Sequence, residues 1–457
     1  MFTLRLLKLK IHSRRVSVFK RLLPIFAFLL ASVMIIWPAL VEQKDKFASL
    51  TPSQQSIKNS NTDMESVRFF SRDNNQNPIT VIAQTVKEAD TSRQIISLDK
   101  PQAQYVMSDG IVLQGNTSYG LAFQKDKYLY FEEQVNATTD NGYQAFSEKV
   151  VCDYNAGTIG SEQDVFVKGP AGMIKANGFY ISDRGNYLHF KGFTDTLLFH
   201  QEKIKDEISA LDFSHQKSYL NENDKNVFIT SENGIIINQS DKTMTALKNV
   251  NIQQNNNLLE AQKVVLYYTK NEYGKTIIQK VTAQDNVVAV QGTQRVSGQN
   301  MTIYKDKDDI MTILQELPEQ IILDKKDKIG QLIVITDNAM VTEGINTVKA
   351  NRIYALYDDK GQILTKVIAF GKMNATNGQQ KIIGEYGIYS PKTKIISVYE
   401  KVSLHEKESV LKGEYATLNL KTGISSLNAS KNKKTKGRVK GQIIPNNFEM
   451  KKKSEAK

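Results

Sequence analysis

Side chains able to do acid-base, nucleophilic or metal chemistry are few and scattered in this 457-residue chain. The five histidines, His12, His189, His200, His215 and His405, show no H-E-x-x-H pair or other zinc spacing. Cys152 is the single cysteine, which excludes an internal disulfide framework and any multi-cysteine metal site. No G-x-S-x-G elbow, Walker A loop or G-x-G-x-x-G turn is present. Carboxylates adjoin at Asp308-Asp309 and Asp358-Asp359, but in hairpin-turn contexts where aspartate serves the backbone. The sequence therefore predicts no catalytic residue, no metal and no cofactor.

Charge points away from nucleic acid. The formal net charge is +12, yet residues 1–21 carry +7 and residues 431–457 carry +8, leaving −3 for the body between them. A nucleic-acid reader needs a basic folded face, which a slightly acidic body does not supply.

The elements that would position any functional side chain begin with residues 22–41, about twenty without a charge (LLPIFAFLLASVMIIWPALV). At ~1.5 Å per residue such a helix is roughly 30 Å long and matches a hydrocarbon core. Seven Lys/Arg precede it and Glu42 is the first acid after it, so the positive-inside rule puts residues 1–21 in the cytoplasm and the body outside. The stretch exceeds the usual apolar length of a cleaved signal, which favours a retained single-pass anchor. Residues 42–63 read as a polar stalk.

Beyond the stalk, short apolar or alternating runs separated by Asn, Gly, Asp and Lys clusters predict an all-β body. Asp109-Gly110, Asn141-Gly142, Ala156-Gly157 and Arg184-Gly185 supply the turn signals. Residues 64–200 form a first β unit, residues 201–226 a charged linker or short helix, residues 227–430 a second unit, and residues 431–457 a basic tail. The second unit repeats itself. KVTAQDNVVAVQGTQRVSGQNMTIY returns about 86 residues later as KVIAFGKMNATNGQQKIIGEYGIY, aligning Gly298 with Gly384 and nearly aligning Tyr304 with Tyr389. A shorter third copy places Gly413 and Tyr415 in the same roles. Stacked copies predict a solenoid or open jellyroll in which each unit buries its apolar face against the next.

Residues 128–181, with Gly169-Pro170-Ala171-Gly172 followed by Ala176 and Gly178, resemble the periplasmic β-jellyroll of the LptC family. The repeats across residues 244–427, best at Asp285-Asn286-Val287-Val288 and from Gly298 to Tyr304, resemble the OstA/LptA domain, with Asp285 standing where that pattern has glycine. Residues 438–445 are similar to the ending of some LptA proteins. The resemblance implies two consecutive open β-jellyrolls behind one transmembrane helix, in an inner-membrane-anchored periplasmic protein that carries lipopolysaccharide. It implies as partners an inner-membrane ABC exporter of the LptB/F/G kind and an LptA- or LptD-like jellyroll that pairs with an edge strand.

An unsealed two-sheet stack would shield acyl chains, and at ~0.8 kcal/mol per buried methylene a multi-acyl lipid needs a continuous apolar path. Candidate lining residues are Phe69, Leu129, Phe131, Val135, Val165, Val167, Phe179, Leu188 and Phe190 in the first unit. In the second they are Val288, Val290, Ile303, Val402, Leu404 and Leu418. About fifteen layers would give a rod of about 70 Å, with residues 410–420 as a free C-terminal edge strand. Two other readings fit the same pattern: a membrane-tethered scaffold or adhesin, and a β-helix polysaccharide-degrading enzyme.

Overall fold

Runs rich in Val, Ile, Tyr, Phe and Thr, cut every ten or so residues by turn formers, leave the chain no way to bury its apolar side chains except by stacking strands. The computed structural model describes residues 63–73, 78–200, 207–208, 226–270, 276–317, 321, 328–428 and 439–442. The predicted anchor, most of the stalk and most of the basic tail lie outside the described residues, as do His12 and His215. No helix among the described residues is long and apolar enough to cross a membrane.

The chain opens with β1 (Asp63–Arg72), β2 (Pro78–Asp90), β3 (Ile95–Asp99), β4 (Gln102–Val106), β5 (Val112–Asn116) and β6 (Tyr119–Phe123). It continues through β7 (Tyr128–Thr139), β8 (Gln144–Asp153), β9 (Thr158–Ser161), β10 (Val165–Gly169), β11 (Gly172–Ser182) and β12 (Tyr187–Leu198). After the linker come β13 (Val227–Ser231), β14 (Ile235–Asn238), β15 (Thr243–Gln254), β16 (Asn257–Lys270), β17 (Thr276–Gln291) and β18 (Gln294–Tyr304). Helix α1 (Lys307–Gln315) precedes β19 (Gln331–Glu343), β20 (Asn346–Tyr357), β21 (Leu364–Thr376) and β22 (Gln380–Ser390). The last strands are β23 (Ile395–Glu406), β24 (Ser409–Asn419), β25 (Ser425–Asn428) and β26 (Lys440–Gln442).

All pairing is antiparallel and between strands near in sequence, with β2 pairing β4, β3 pairing β6 and β5 pairing β7 at the start. The fold is therefore all-β, with α1 as the one α-helix that lies wholly among the described residues. Short strands act in pairs as one broken layer. Thus β9 and β10 both lie between β8 and β11, and β13 and β14 both lie between β12 and β15. Pairing of β12 with β13 and β14 carries the sheet directly across the predicted linker. Within that linker Ile208 is buried with Met173, Leu197 and Phe228. Because each layer spans both halves of the stack, about twenty layers at ~4.8 Å make a rod of roughly 100 Å, longer than the 70 Å expected from one strand per sheet per layer.

How one strand serves two sheets is set at its midpoint. Strands β7, β15, β17, β19, β21 and β23 turn there through two successive left-handed residues: Glu133-Gln134, Lys248-Asn249, Asp285-Asn286, Asp337-Asn338, Gly371-Lys372 and Glu400-Lys401, with φ between 46° and 80°. Asn, Asp and Gly tolerate that region best, which accounts for half of these residues. The residue after each bend, Val135, Val250, Val287, Ala339, Met373 or Val402, is buried. It faces Ser147, Ala261, Gly298, Ala350, Gly384 or Gly413 on the next strand. The facing residue must be small. A Cβ on Gly298 would stand 2.5 Å from Ile335 Cγ2, and one on Gly384 2.5 Å from Val398 Cγ1.

Gly298, Gly384 and Gly413 therefore do share one role. Tyr415 does not share that of Tyr304: it lies two residues after its glycine and pairs with Tyr399, as Tyr386 does. Asp308 and Asp309 are also placed differently from expectation, opening α1 rather than a hairpin turn, with their backbone N–H groups donating to Asp306. Helix α1 lays Ile310 and Leu314 over Leu332, Tyr354, Leu356 and Ile368 on the outside of the sheet, leaving the inside free. Strand β24 is not a free edge. Its residues Tyr415 to Leu418 pair with β25, and Val410 to Lys412 pair with β26, which draws part of the predicted tail into the sheet.

Candidate functional site

The inside of the stack is one apolar path built from three clusters that share members. Val81, Ala83, Leu98, Leu129, Phe131, Val135 and Val150 form the first, against which Phe69 and Phe179 pack. Phe179 also packs on the second, Val165, Ala176 and Phe190, together with Val167, Leu188 and Ile237. Ile237 packs in turn on the third, which runs from Ile229 to Leu418 and includes Val287, Met301, Ile335, Met373, Val402 and Leu404.

Space remains along this path. A first cavity of about 130 Å³ is lined by Ile79, Leu129, Phe131, Val135, Cys152, Phe179 and Ile181. The second, about 360 Å³, shares Leu113, Ala137, Ala145, Val165, Phe179 and Ile181 with it and reaches Leu188, Phe190, Ile237 and Tyr268. A third of about 790 Å³ lies between Ile252, Leu259, Ala289, Ile303, Ile333, Ile335, Val341, Leu364 and Val367. The fourth, about 60 Å³, continues it through Gln294, Val341, Leu364 and Val367 to Ala369, Met373, Tyr389 and Ile396. Alternation along the strands explains the lining, since every second side chain faces in.

All nine residues chosen from the first unit lie in these clusters or cavities: Phe69, Leu129, Phe131, Val135, Val165, Val167, Phe179, Leu188 and Phe190. In the second unit Val402, Leu404 and Leu418 are in the inner core, Ile303 lines the largest cavity and Val290 stands at its rim. Val288 is misplaced. It alternates with Val287 and Ala289, both on the inner side, so it faces the opposite surface of β17.

Small and half-buried groove residues escaped the sequence reading, among them Ala137, Ala145, Ala289, Ile333 and Val341. The signal that finds them is apolar-x-small-x-x-apolar-x-apolar, as in Val296, Gly298, Met301 and Ile303 of β18. The single extra residue at the corner shifts the period of two by one, which strict alternation cannot follow.

Electrostatics in the groove favour neutral forms. Burial pushes the Cys152 thiol up to about 12, with Asp153 adding to the effect. Burial likewise pushes the Tyr105 phenol up to about 12, reinforced by Asp73. Tyr268 and Tyr357, lining the second and third cavities, are raised by burial alone. No group of three His, Cys, Asp or Glu side chains among the described residues could hold a metal. His405 meets Ser403 Oγ at 3.1 Å, while Asp358 accepts from the N–H groups of Gln362 and Ile363, a turn role as the sequence predicted. The cavities themselves are lined mainly by apolar side chains, and neither Ser403 nor His405 lines any of the four.

Residues 275–424 match the family described as LptA/(LptD N-terminal domain) LPS transport protein. That stretch falls within the repeats that resemble the OstA/LptA domain. The second half of the chain thus carries a β domain similar to the LptA and LptD N-terminal domains of lipopolysaccharide transport. No curated protein matches. Among solved structures the chain is similar to LptH of Pseudomonas aeruginosa, the LptA homologous periplasmic component of its lipopolysaccharide transport device. Identity is 14% and the TM-score 0.24, covering 33% of this chain and 95% of LptH.

Proposed function

We propose that this protein is an inner-membrane-anchored component of a lipopolysaccharide export bridge, which takes the acyl chains of the lipid into its groove and passes them along the rod. The observation that carries the reading is the unbroken apolar path from Val81 to Leu418, with cavities left along it. The family match of residues 275–424 supports it. In this reading residues 22–41 anchor the chain, the body stands in the periplasm, and the LptC-like first unit receives lipid from an ABC exporter of the LptB/F/G kind. The second unit hands it to an LptA- or LptD-like jellyroll. Pairing with that partner would use the last layer, β25 and β26, since β24 is already covered.

A direct test is the lipopolysaccharide that co-purifies with the full-length protein and with Ile333→Glu and Val341→Lys variants. Both side chains are only half buried, so the fold should survive while the path acquires a charge. The reading expects about tenfold less lipid on the variants, the scale of a few lost methylene contacts. Equal lipid on all three proteins, or none on the wild type, would leave a membrane-tethered scaffold as the better description.

A further inference from the structure

Two rows of turns frame the mouth of the groove in the second half, and they differ in charge. One row comprises the turns at 255–256, 292–293, 344–345, 377–379 and 407–408. It is rich in amides, with Gln254, Asn257, Gln291 and Gln294 lining the third cavity, and holds one lysine, Lys407. The opposite row comprises the chain ends and turns near 239–242, 270, 305–307, 358–363, 391–394 and 420–424. It is rich in lysine. Side chains from both rows line the same cavity, so the rows face one another across it.

Three lysines of the second row reach the cavities themselves: Lys270 lines the second, and Lys305 and Lys360 line the third. Lys305 continues the inward series Met301 and Ile303 to the end of β18, which places its ammonium where the apolar lining stops. Lys392, Lys394 and Lys421 extend the row beyond them. Aspartates of this row are occupied by local partners. Asp241 accepts from Asn238 at 2.6 Å, Asp306 caps α1, Asp358 holds its own turn, and Asp359 pairs with Lys307 at 3.6 Å. These four aspartates stand against eight lysines, Lys242, Lys270, Lys305, Lys307, Lys360, Lys392, Lys394 and Lys421, so the row carries a net +4.

We propose that this lysine row takes the phosphate groups of a phosphorylated multi-acyl lipid whose chains lie in the groove, so that headgroup and chains are read by different parts of one site. The proposal rests on the lipid-carrying reading above. An amphiphile with its chains buried must leave its headgroup at the mouth, and an anionic headgroup meets eight lysines in the turns of one row against Lys407 alone in those of the other.

The test measures binding of the bis-phosphorylated lipid anchor of lipopolysaccharide, and of the same lipid stripped of its phosphates, to the full-length protein. It compares wild type with a Lys270→Gln, Lys305→Gln, Lys360→Gln triple variant and with the corresponding triple arginine variant. All three lysines are exposed, so each variant should fold, which circular dichroism checks. Wild type is expected to bind the phosphorylated lipid about tenfold more tightly, the scale of one or two charge-assisted hydrogen bonds. The glutamine variant should lose that preference, the arginine variant keep it, and millimolar inorganic phosphate leave it intact. Equal binding of both lipids by wild type overturns the phosphate assignment and leaves the lipid reading standing, as does a glutamine variant that keeps the preference. Displacement by inorganic phosphate alone reduces the row to a simple anion site and overturns the headgroup assignment. Binding of neither lipid removes both readings.

Discussion

Cys152 and Tyr105 carry the clearest consequence of a dry groove. Each keeps its proton in the folded state up to about 12, while the ordinary values are 9.0 and 10.0. Above pH 9 the folded chain therefore binds more protons than the unfolded one. This part of the stability is fully present below pH 9 and is lost as pH rises from 9 towards 12. Denaturant midpoints should be level between pH 7 and 9 and fall by pH 11, and a midpoint that rises over that interval would contradict the assignment. Maleimide at pH 7.5 should modify Cys152 more than a hundredfold faster in urea than in the folded protein, because the thiolate is the reacting form. The apolar lining was legible for Val402 and Leu404, which alternate with Lys401, Ser403 and His405, and for Phe131 and Phe179 through their size within apolar runs rather than through alternation. Val288 was misassigned because the Asp285-Asn286 bend leaves two consecutive valines after it and composition alone does not say which one faces in.

At the scale of the element, the corner is what the fold depends on. Gly384→Val would drive a branched side chain into Val398 and Tyr399 and should lower stability by about 1–3 kcal/mol, whereas Gly292→Ala, with open space around it, should cost less despite its positive φ. Asn338→Val, at φ 63°, should cost about 1–2 kcal/mol through left-handed strain alone. Removing the cap of α1 with Asp306→Ala should cost about 1 kcal/mol. Urea titrations with unchanged slope measure all four. Turn signals and the glycine repeat were legible because they answer to local backbone needs. Helix α1 was not read, although Asp306 followed by Asp308 and Asp309 before an apolar i, i+4 pair at Ile310 and Leu314 is a helix-start signal. The left-handed pairs were hidden as well, since Glu400-Lys401 and Glu133-Gln134 carry no glycine and look like ordinary exposed strand.

For the whole molecule, the all-β character could be read from punctuation and the apolar path from repetition, but continuity could not. That the sheet runs unbroken from β12 into β13 depends on pairing across a charged segment whose composition suggests separation. The same continuity makes a single path through both units physically available, with Phe179 and Ile237 as its joints. Phe131 in the first cavity and Ile333 in the third are far apart along it, and Val288 lies on the outer face of the same stack. The most direct measurement introduces a photo-crosslinking amino acid at each of these three positions in cells and probes the adducts for lipopolysaccharide. A path through the groove predicts adducts at Phe131 and Ile333 that depend on ATP, and none at Val288. Adducts at neither inner position in a folded protein, or equal adducts at all three, would contradict it.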